Sequence, residues 1–462
     1  MSRFLLPCTP IYGHVAPMLT IGAGLLARGH QVTVLTGRKY RSAVEQQRLS
    51  FVPLPAEVDY DDAHIDDWLP GHGRYTGIAA GRHDILGLFV RPLVAQARAL
   101  ADTLAAEDYH AVVADAAFLG ALPMLLSVPT VDRIPVVGVS ATPLSLTSID
   151  CAPFGSGLDP GNSAHTRRRN RFIAAVLQHG PLRSIRAALD EALAEAGAPP
   201  APGGYFDAAA RFDLTFQLSV RGLEYPRREM PPTIRFVGPL TPDVGRQAKL
   251  PSWWGDLDGA RPVVHVTQGT MANVDLGRLL VPTIAGLRDE NLLVVAATGG
   301  RPVAELEARH GGPLPANVRV AEFLPYPKLL PLVDVMITNG GFGGVQQALS
   351  YGLPLVVAGS SEDKPEVAGR VAWSGAGLNL RTGAPSAARV RRAVRLVLRD
   401  PRFACAAAKL QAEIAAQPDP VTQVAQTLET LTSPPARPSA VHLHLTQKPA
   451  SVYQGVVRPR GL

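Results

Sequence analysis

The sequence predicts an α/β protein of two doubly wound domains facing one another across a cleft. Three observations lead there. A strand–helix–strand alternation opens the chain and a second begins after residue 250, a pattern that predicts parallel sheets wrapped by helices. At 462 residues the chain exceeds what one hydrophobic core of ordinary size can organise. Between the two regions lies PRREMPPTIRFVGPLTPDVGRQAKLP, whose proline and arginine content reads as a linker.

The first forty residues form one βαβ unit. RFLLPC is a short apolar strand and TPIYGH a turn. Val15, Met18, Leu19, Leu25 and Leu26 then recur at three- and four-residue spacing, which marks a helix with one buried face. Gly29 stops that helix, and QVTVLTG, rich in β-branched residues, is the next strand. AVVADAAF and PVVGVS continue the series. In the second region PVVHVTQG is a strand, a helix runs from about Leu276, and LLVVAATG, VRVAEF and DVMITNGG are strands. A further helix then leads to the strand PLVVAG. Residues 387–430 are helical and rich in Ala and Arg. The expected organisation is a first domain over 1–225, a linker over 226–250 and a second domain over 251–402. A helix at 403–431 packs back towards the first domain, and 432–462 is a tail without periodicity.

Hydrophobic residues make up 46% of the chain and charged residues 18%, the balance of a packed protein rather than a disordered one. The net charge of +6 suits a small anionic partner, but no basic block has the density of a nucleic-acid-binding tract. Arg167, Arg168 and Arg169 read as a solvated loop or helix end, and aromatic residues are not interleaved with basic ones, so nucleic acid is excluded as a partner. Cys8, Cys151 and Cys405 form neither a disulfide framework nor a metal-ligand spacing, which points to a reducing, cytoplasmic setting. Pro7, Pro10 and His14 interrupt the opening apolar stretch before a signal-peptide core forms. No run approaches the roughly 20 apolar residues that span a bilayer. His442 and His444 in the tail are a stray pair.

Two clusters carry chemistry. His14, in GHVAP, lies in the turn after the first strand, where open α/β sheets place their ligands. It is either a base that takes a proton from a hydroxyl or a capping and packing histidine. Asp115, in VVADAAFLGA, closes another strand of the same domain. It either holds the second imidazole nitrogen or caps a helix. In the second cluster, TNGGFGGVQQALSYG, the glycines Gly340, Gly341, Gly343 and Gly344 follow a strand and precede a helix. Backbone N–H groups there can approach a diphosphate; a glycine-rich turn alone is often merely a tight loop, but the strand-to-helix placement favours the phosphate reading. Gly269 and Thr270, in the turn after PVVHVTQ, are candidates for further phosphate contacts.

Taken together these segments resemble the UDP-glycosyltransferases, including bacterial macrolide and antibiotic glycosyltransferases, over roughly residues 3–420. The segments that carry the resemblance are GHVAPML with RGHQVTVLT, VVADAAFLGA, LEYPRREMPPTIRFVGPL and FLPYPKLLPLVDVMITNGGFGGVQQALSYGLPLVVAGSSEDKPEVAGRV. The resemblance implies the GT-B fold, two Rossmann-like domains with the acceptor in the first and a nucleotide sugar in the second. It makes His14 the catalytic base and Asp115 its partner. Phe323 would stack on the nucleotide base and Leu324 meet its edge through backbone atoms. Thr270, Gly343 and Gly344 would contact phosphate, and Asp363 would bind sugar hydroxyls. It implies inverting transfer of a hexose, from a UDP-sugar or a dTDP-sugar, to a hydroxyl of a small, largely apolar acceptor such as a natural product, phenol, sterol or lipid. No cofactor and no metal are implied.

The chain also departs from the family pattern. Asn339 stands for the histidine before the glycines, Gln347 for the ribose-binding glutamate, Gly344 for a Thr or Ser, and Asp363-Lys364 for Asp-Gln. Lys364 either favours an acidic sugar or replaces the missing histidine charge. Loops after Tyr12, around Tyr60 to Tyr75, and over 142–172 are expected to build the acceptor pocket. Two other readings share the architecture. A sugar-nucleotide epimerase would need carboxylates lining the cleft, and a non-catalytic nucleotide-sugar-binding or activator protein would need neither His14 nor Asp115. An NAD-dependent oxidoreductase is disfavoured because TPIYGH lacks the GxGxxG turn.

Overall fold

The computed structural model describes residues 1–240, 250–269, 273 and 275–432. Thr270 and the tail beyond Thr432, with His442 and His444, lie outside the described residues. The first domain is a seven-stranded sheet in the order β3-β2-β1-β4-β5-β6-β7. Its strands are β1 (Arg3–Pro7), β2 (Gln31–Thr36), β3 (Ser50–Pro53), β4 (Ala111–Asp115), β5 (Val136–Ser140), β6 (Leu214–Gln217) and β7 (Ile234–Phe236). The second domain is a six-stranded sheet in the order β10-β9-β8-β11-β12-β13. It contains β8 (Val263–Thr267), β9 (Leu293–Ala297), β10 (Val318–Ala321), β11 (Val335–Thr338), β12 (Leu355–Val357) and β13 (Gly377–Asn379). All of these pairings are parallel.

Helix α1 (Tyr12–Ala27) buries Val15, Met18, Ile21, Gly22 and Leu25 on the first sheet. It ends where the sequence predicts. Gly29 takes φ +85, and the Gly29 and His30 N–H groups donate to Leu26 and Leu25. Three expectations need correction. The linker over 226–250 is interrupted by β7, which pairs with β6 through Thr215↔Ile234 and extends the first sheet. Three residues are too few for alternation to show inside a Pro- and Arg-rich stretch. The helix expected over 403–431 is two helices. Pro401–Ala415 packs on the second domain, where Ala407 and Leu410 join its core. Pro420–Thr432 crosses back and puts Val424, Ala425 and Leu428 into the core around α1. Asp419 caps that crossing through the Thr422 N–H at 2.7 Å. The helix expected from about Leu276 begins at Leu280, after a turn.

Candidate active site

Each sheet reverses its strand order once, and open α/β sheets bind ligands at that point. In the first sheet the reversal lies between β1 and β4, which are hydrogen-bonded neighbours. The chain leaving β1 runs into α1 with His14 in its first turn, rather than in the loop before the helix. The chain leaving β4 does so from Asp115 itself. Neighbouring strands thus bring together residues 101 positions apart. His14 Nδ1 lies 2.9 Å from Asp115 Oδ1, with side-chain exposures of 11% and 3%. Asp115 also accepts the Ala117 N–H at Oδ1 (3.1 Å) and the Thr9 N–H at Oδ2 (3.3 Å).

Burial pushes the Asp115 carboxyl up, but the charge and hydrogen bond of His14, with hydrogen bonding from Thr9 and Ala117, outweigh it, so the group sits below its usual range. An ionised carboxylate only accepts, so Nδ1 of His14 carries the hydrogen and Nε2 keeps its lone pair. Burial pulls His14 down. The charge and hydrogen bond of Asp115, with smaller contributions from Asp363 and Asp62, more than reverse this, and the imidazole ends above its ordinary value. Asp62 escaped the sequence reading. Its Oδ2 accepts the Tyr12 N–H at 2.8 Å and so caps α1, whose own N-cap residue Ile11 offers no side-chain acceptor and whose first turn holds no acidic residue. Its Oδ1 accepts from Tyr40 Oη (2.7 Å) and Lys39 Nζ (2.5 Å).

In the second sheet the reversal lies between β8 and β11. Gly269 follows β8, and Asn339 to Gly344 follow β11 into the helix Phe342–Ser350, hereafter α2. Asn339 ties the two turns together. Its Nδ2 donates to the Gln268 carbonyl, and its Oδ1 accepts the Gly341 N–H at 3.3 Å. Gly340 turns the chain with φ +88, and Gly341 is the N-cap. Gly343 and Gly344 occupy the first turn, whose N–H groups have no partner within the helix. A Cβ at either would meet nothing within 4 Å, so both backbones face open space. Gln347 follows Gly343 by four residues on the same face and is half-buried.

Phe323 is 66% exposed, with its ring against Gly300, where a Cβ would come within 2.8 Å of Cζ. Leu324 is partly buried against the second-domain core. Lys364 is buried and paired with Glu362, so its charge is taken up inside the loop. Asp363 beside it is half-buried. Burial raises its carboxyl, Glu362 adds to the rise, and Lys364 and His14 oppose it, leaving it at about 6. His14 and Asp363 therefore act on each other electrostatically across the two domains.

The chain is 41% identical over 434 residues to the 4'-demethylrebeccamycin synthase of Lentzea aerocolonigenes, covering 93% of this chain and 99% of that protein. It is 34% identical over 443 residues to UDP-glycosyltransferase 2 of Phaeomoniella chlamydospora, covering 92% and 95%. The chain belongs to the UDP-glycosyltransferase family. Residues 295–431 of this glycosyltransferase match the family "Erythromycin biosynthesis protein CIII-like, C-terminal domain". The crystal structure of the glycotransferase of kitacinnamycin superposes with a TM-score of 0.68 at 21% identity, over 94% of this chain and 99% of that one. The architecture is the GT-B fold expected from the sequence.

Around the His14 edge of the glycosyltransferase runs a row of half-buried aromatic rings that sequence reading did not assemble. Phe89 meets His14 edge-on with centroids 6.0 Å apart, and Tyr205 lies 6.0 Å from Phe89. Phe206 is 5.3 Å from Tyr205, and Phe154 is 6.2 Å from Phe206. Burial and then the charge of Asp115 push the Tyr205 phenol up. The expected pocket loops contribute unevenly. Phe154 comes from the 142–172 stretch, whereas Tyr60 is buried among Trp68, Leu69 and Leu88 and packs a core. Residues 164–179 form a helix, Ala164–His179, with Arg167 paired to Asp150 at 2.9 Å. A cavity of about 690 Å³, lined by Asp150, Pro160, Gly161, Asn162, Arg221 and Trp373 among others, draws on the 142–172 stretch but contains none of the catalytic or donor-binding candidates. Among the described residues no helix is long and apolar enough to cross a membrane.

Proposed function

We propose that this glycosyltransferase transfers a hexose from a UDP-sugar, with inversion, to a hydroxyl of a flat, aromatic, largely apolar acceptor. The observation that carries the reading is the His14–Asp115 pair at 2.9 Å, electrostatically coupled to Asp363 of the other domain. In this scheme the acceptor hydroxyl lies against Phe89 and Tyr205 and gives its proton to His14 Nε2 as its oxygen bonds to the anomeric carbon. The bond from that carbon to the diphosphate breaks on the opposite face, which inverts the centre. Asp115 stabilises the imidazolium that forms.

The leaving diphosphate carries away the bonding electron pair. The open N–H groups of Gly343 and Gly344, Gly269 and the N-terminal field of α2 are suited to receive that charge. Phe323, exposed over Gly300, suits a stacked base, and Leu324 follows it to meet the base edge, while Gly340 and Gly341 belong to the turn offered to the diphosphate. Asp363, raised to about 6 and so mostly ionised at neutral pH, suits a sugar hydroxyl chiefly as an acceptor. Asn339 and Lys364 act within the loops, one joining the two turns and the other neutralising Glu362. Gln347 takes the ribose. The name of the 34% identical relative supports UDP over dTDP. The scheme uses no metal, so a chelator leaves the rate unchanged.

The test is calorimetric binding of UDP, dTDP and GDP, with hydrolysis of their glucose conjugates by wild type and His14→Ala. Tight binding of UDP with slow hydrolysis that His14→Ala abolishes is the expected result. No binding of any nucleotide would sink the donor assignment.

A further inference from the structure

The acceptor-side aromatic row ends on a segment that the donor domain grips. Residues 144–149 are anchored within the first domain: the Thr147 N–H and Oγ1 donate to Asp207 at 2.8 and 2.7 Å, and Asn170 Nδ2 donates to the Ile149 carbonyl at 3.0 Å. Further along, the Gly155 and Gly157 N–H groups both donate to Glu366 Oε1, at 2.8 and 3.0 Å. Glu366 belongs to the helix Lys364–Trp373 of the second domain, is 3% exposed, and lies three residues after Asp363. Its own N–H donates to the Asp363 carbonyl at 3.0 Å. Its Oε2 accepts from Arg370 at 2.7 Å, and Arg370 spans back to Glu224 at 2.6 Å.

The gripped turn is built for this contact. Gly155 and Gly157 have φ of +90 and +57, and a Cβ on Gly157 would come within 3.3 Å of the Pro365 carbonyl. Phe154, immediately before the turn, is the far end of the row of rings that starts at His14.

We infer that Glu366 is a positioning residue for the acceptor: by holding the Gly155 and Gly157 amides it fixes Phe154 as the end wall of the acceptor site. The inference rests on the proposed function. A carboxylate accepting two backbone N–H groups is a short, directional tie, and here it joins the turn beside Asp363 to the acceptor wall. Four successive ring contacts of 5.3–6.2 Å make a wall longer than one ring, suited to a fused planar acceptor. Losing the tie frees Phe154 and weakens acceptor binding while leaving the base and the nucleotide cradle in place.

The experiment uses the full chain, UDP-glucose, and alizarin as a flat three-ring phenolic probe. Glu366→Ala is expected to raise the KM for alizarin about tenfold, with kcat within about threefold of wild type and the affinity for UDP unmoved. Phe154→Ala should act alike, and the double variant should be no worse than either single one. Glu366→Gln keeps one carbonyl oxygen for the glycine amides but loses the ionic partner of Arg370, so its KM should stay near wild type. Should Glu366→Ala fail to fold, Gly157→Ala disturbs the same tie and should give the same rise. Additive effects, a fall in kcat in place of a rise in KM, an equal effect of Glu366→Gln, or no alizarin binding to wild type overturns the inference. Failure of the transferase reading would show separately, as absence of UDP binding to wild type.

Discussion

Replacing Asp115 by Asn tests the acid–base pair at its most informative atom. Asp115 Oδ1 takes two N–H groups, from His14 and Ala117, while Oδ2 takes only the Thr9 N–H at 3.3 Å. An asparagine has one acceptor oxygen. Placed at the Oδ1 position it keeps two hydrogen bonds and sets its NH₂ against the Thr9 N–H; turned over, it keeps only the longest. The first orientation wins, so His14 keeps its hydrogen on Nδ1 and the tautomer survives. What is lost is the charge.

A hydrogen bond to a charged group contributes ~1.5–3 kcal/mol and a neutral one ~0.5–1.5 kcal/mol. A difference of ~1–1.5 kcal/mol in holding the imidazolium predicts a drop in kcat/KM of about 5- to 15-fold. An inverted tautomer in a comparable pair costs about 10⁴. Asp115 is also the chief group raising His14, so its neutralisation moves the acid limb of the kcat/KM profile to lower pH. The assay is UDP-glucose turnover from about pH 5 to 9, across the range where histidine titrates. A rate within about twofold of wild type, a loss near 10⁴, or an acid limb that stays in place would refute the reasoning.

Further outcomes follow from single features. Gly343→Ala meets no atom within 4 Å and adds helix propensity of up to ~1 kcal/mol, so the melting temperature holds or rises while calorimetric affinity for UDP falls. Phe323→Ala removes an exposed ring and should weaken UDP by ~1–3 kcal/mol of stacking, with no change in thermal stability. Glu429 is held down at about 2 by hydrogen bonds from Arg28 and His30, which tie the last helix to the first domain. A depressed carboxylate stabilises fully above its ordinary value and loses that contribution as pH falls towards the depressed one. Amide protection over residues 420–432, corrected for the intrinsic pH dependence of exchange, should therefore fall between about pH 4.5 and 2, and Glu429→Gln should remove that fall.

The sequence by itself determined the two alternating regions, their parallel sheets and the residues at the sheet switch points. Those features are local. Apolar strands, helical spacing and glycines at strand ends each report on a few neighbouring residues, and the strand-end rule turns them into positions. His14 and Asp115 were legible singly for that reason, as were Gly269 and Gly340 to Gly344. The short strand Ile234–Phe236 was not, because three residues inside a Pro- and Arg-rich stretch carry no period.

Tertiary structure alone decided the partnerships. Asp62 caps α1 from 50 residues away, Lys364 spends its charge on Glu362, and Asn339 spends its amide on Gln268. Phe89, Phe154, Tyr205 and Phe206 become one wall only when three separate segments meet, and Glu366 grips a turn more than 200 residues distant in the chain. Side-chain periodicity fixes which face of an element is buried. Which polar group meets which across a domain boundary depends on the packing of whole sheets, and no local pattern encodes that.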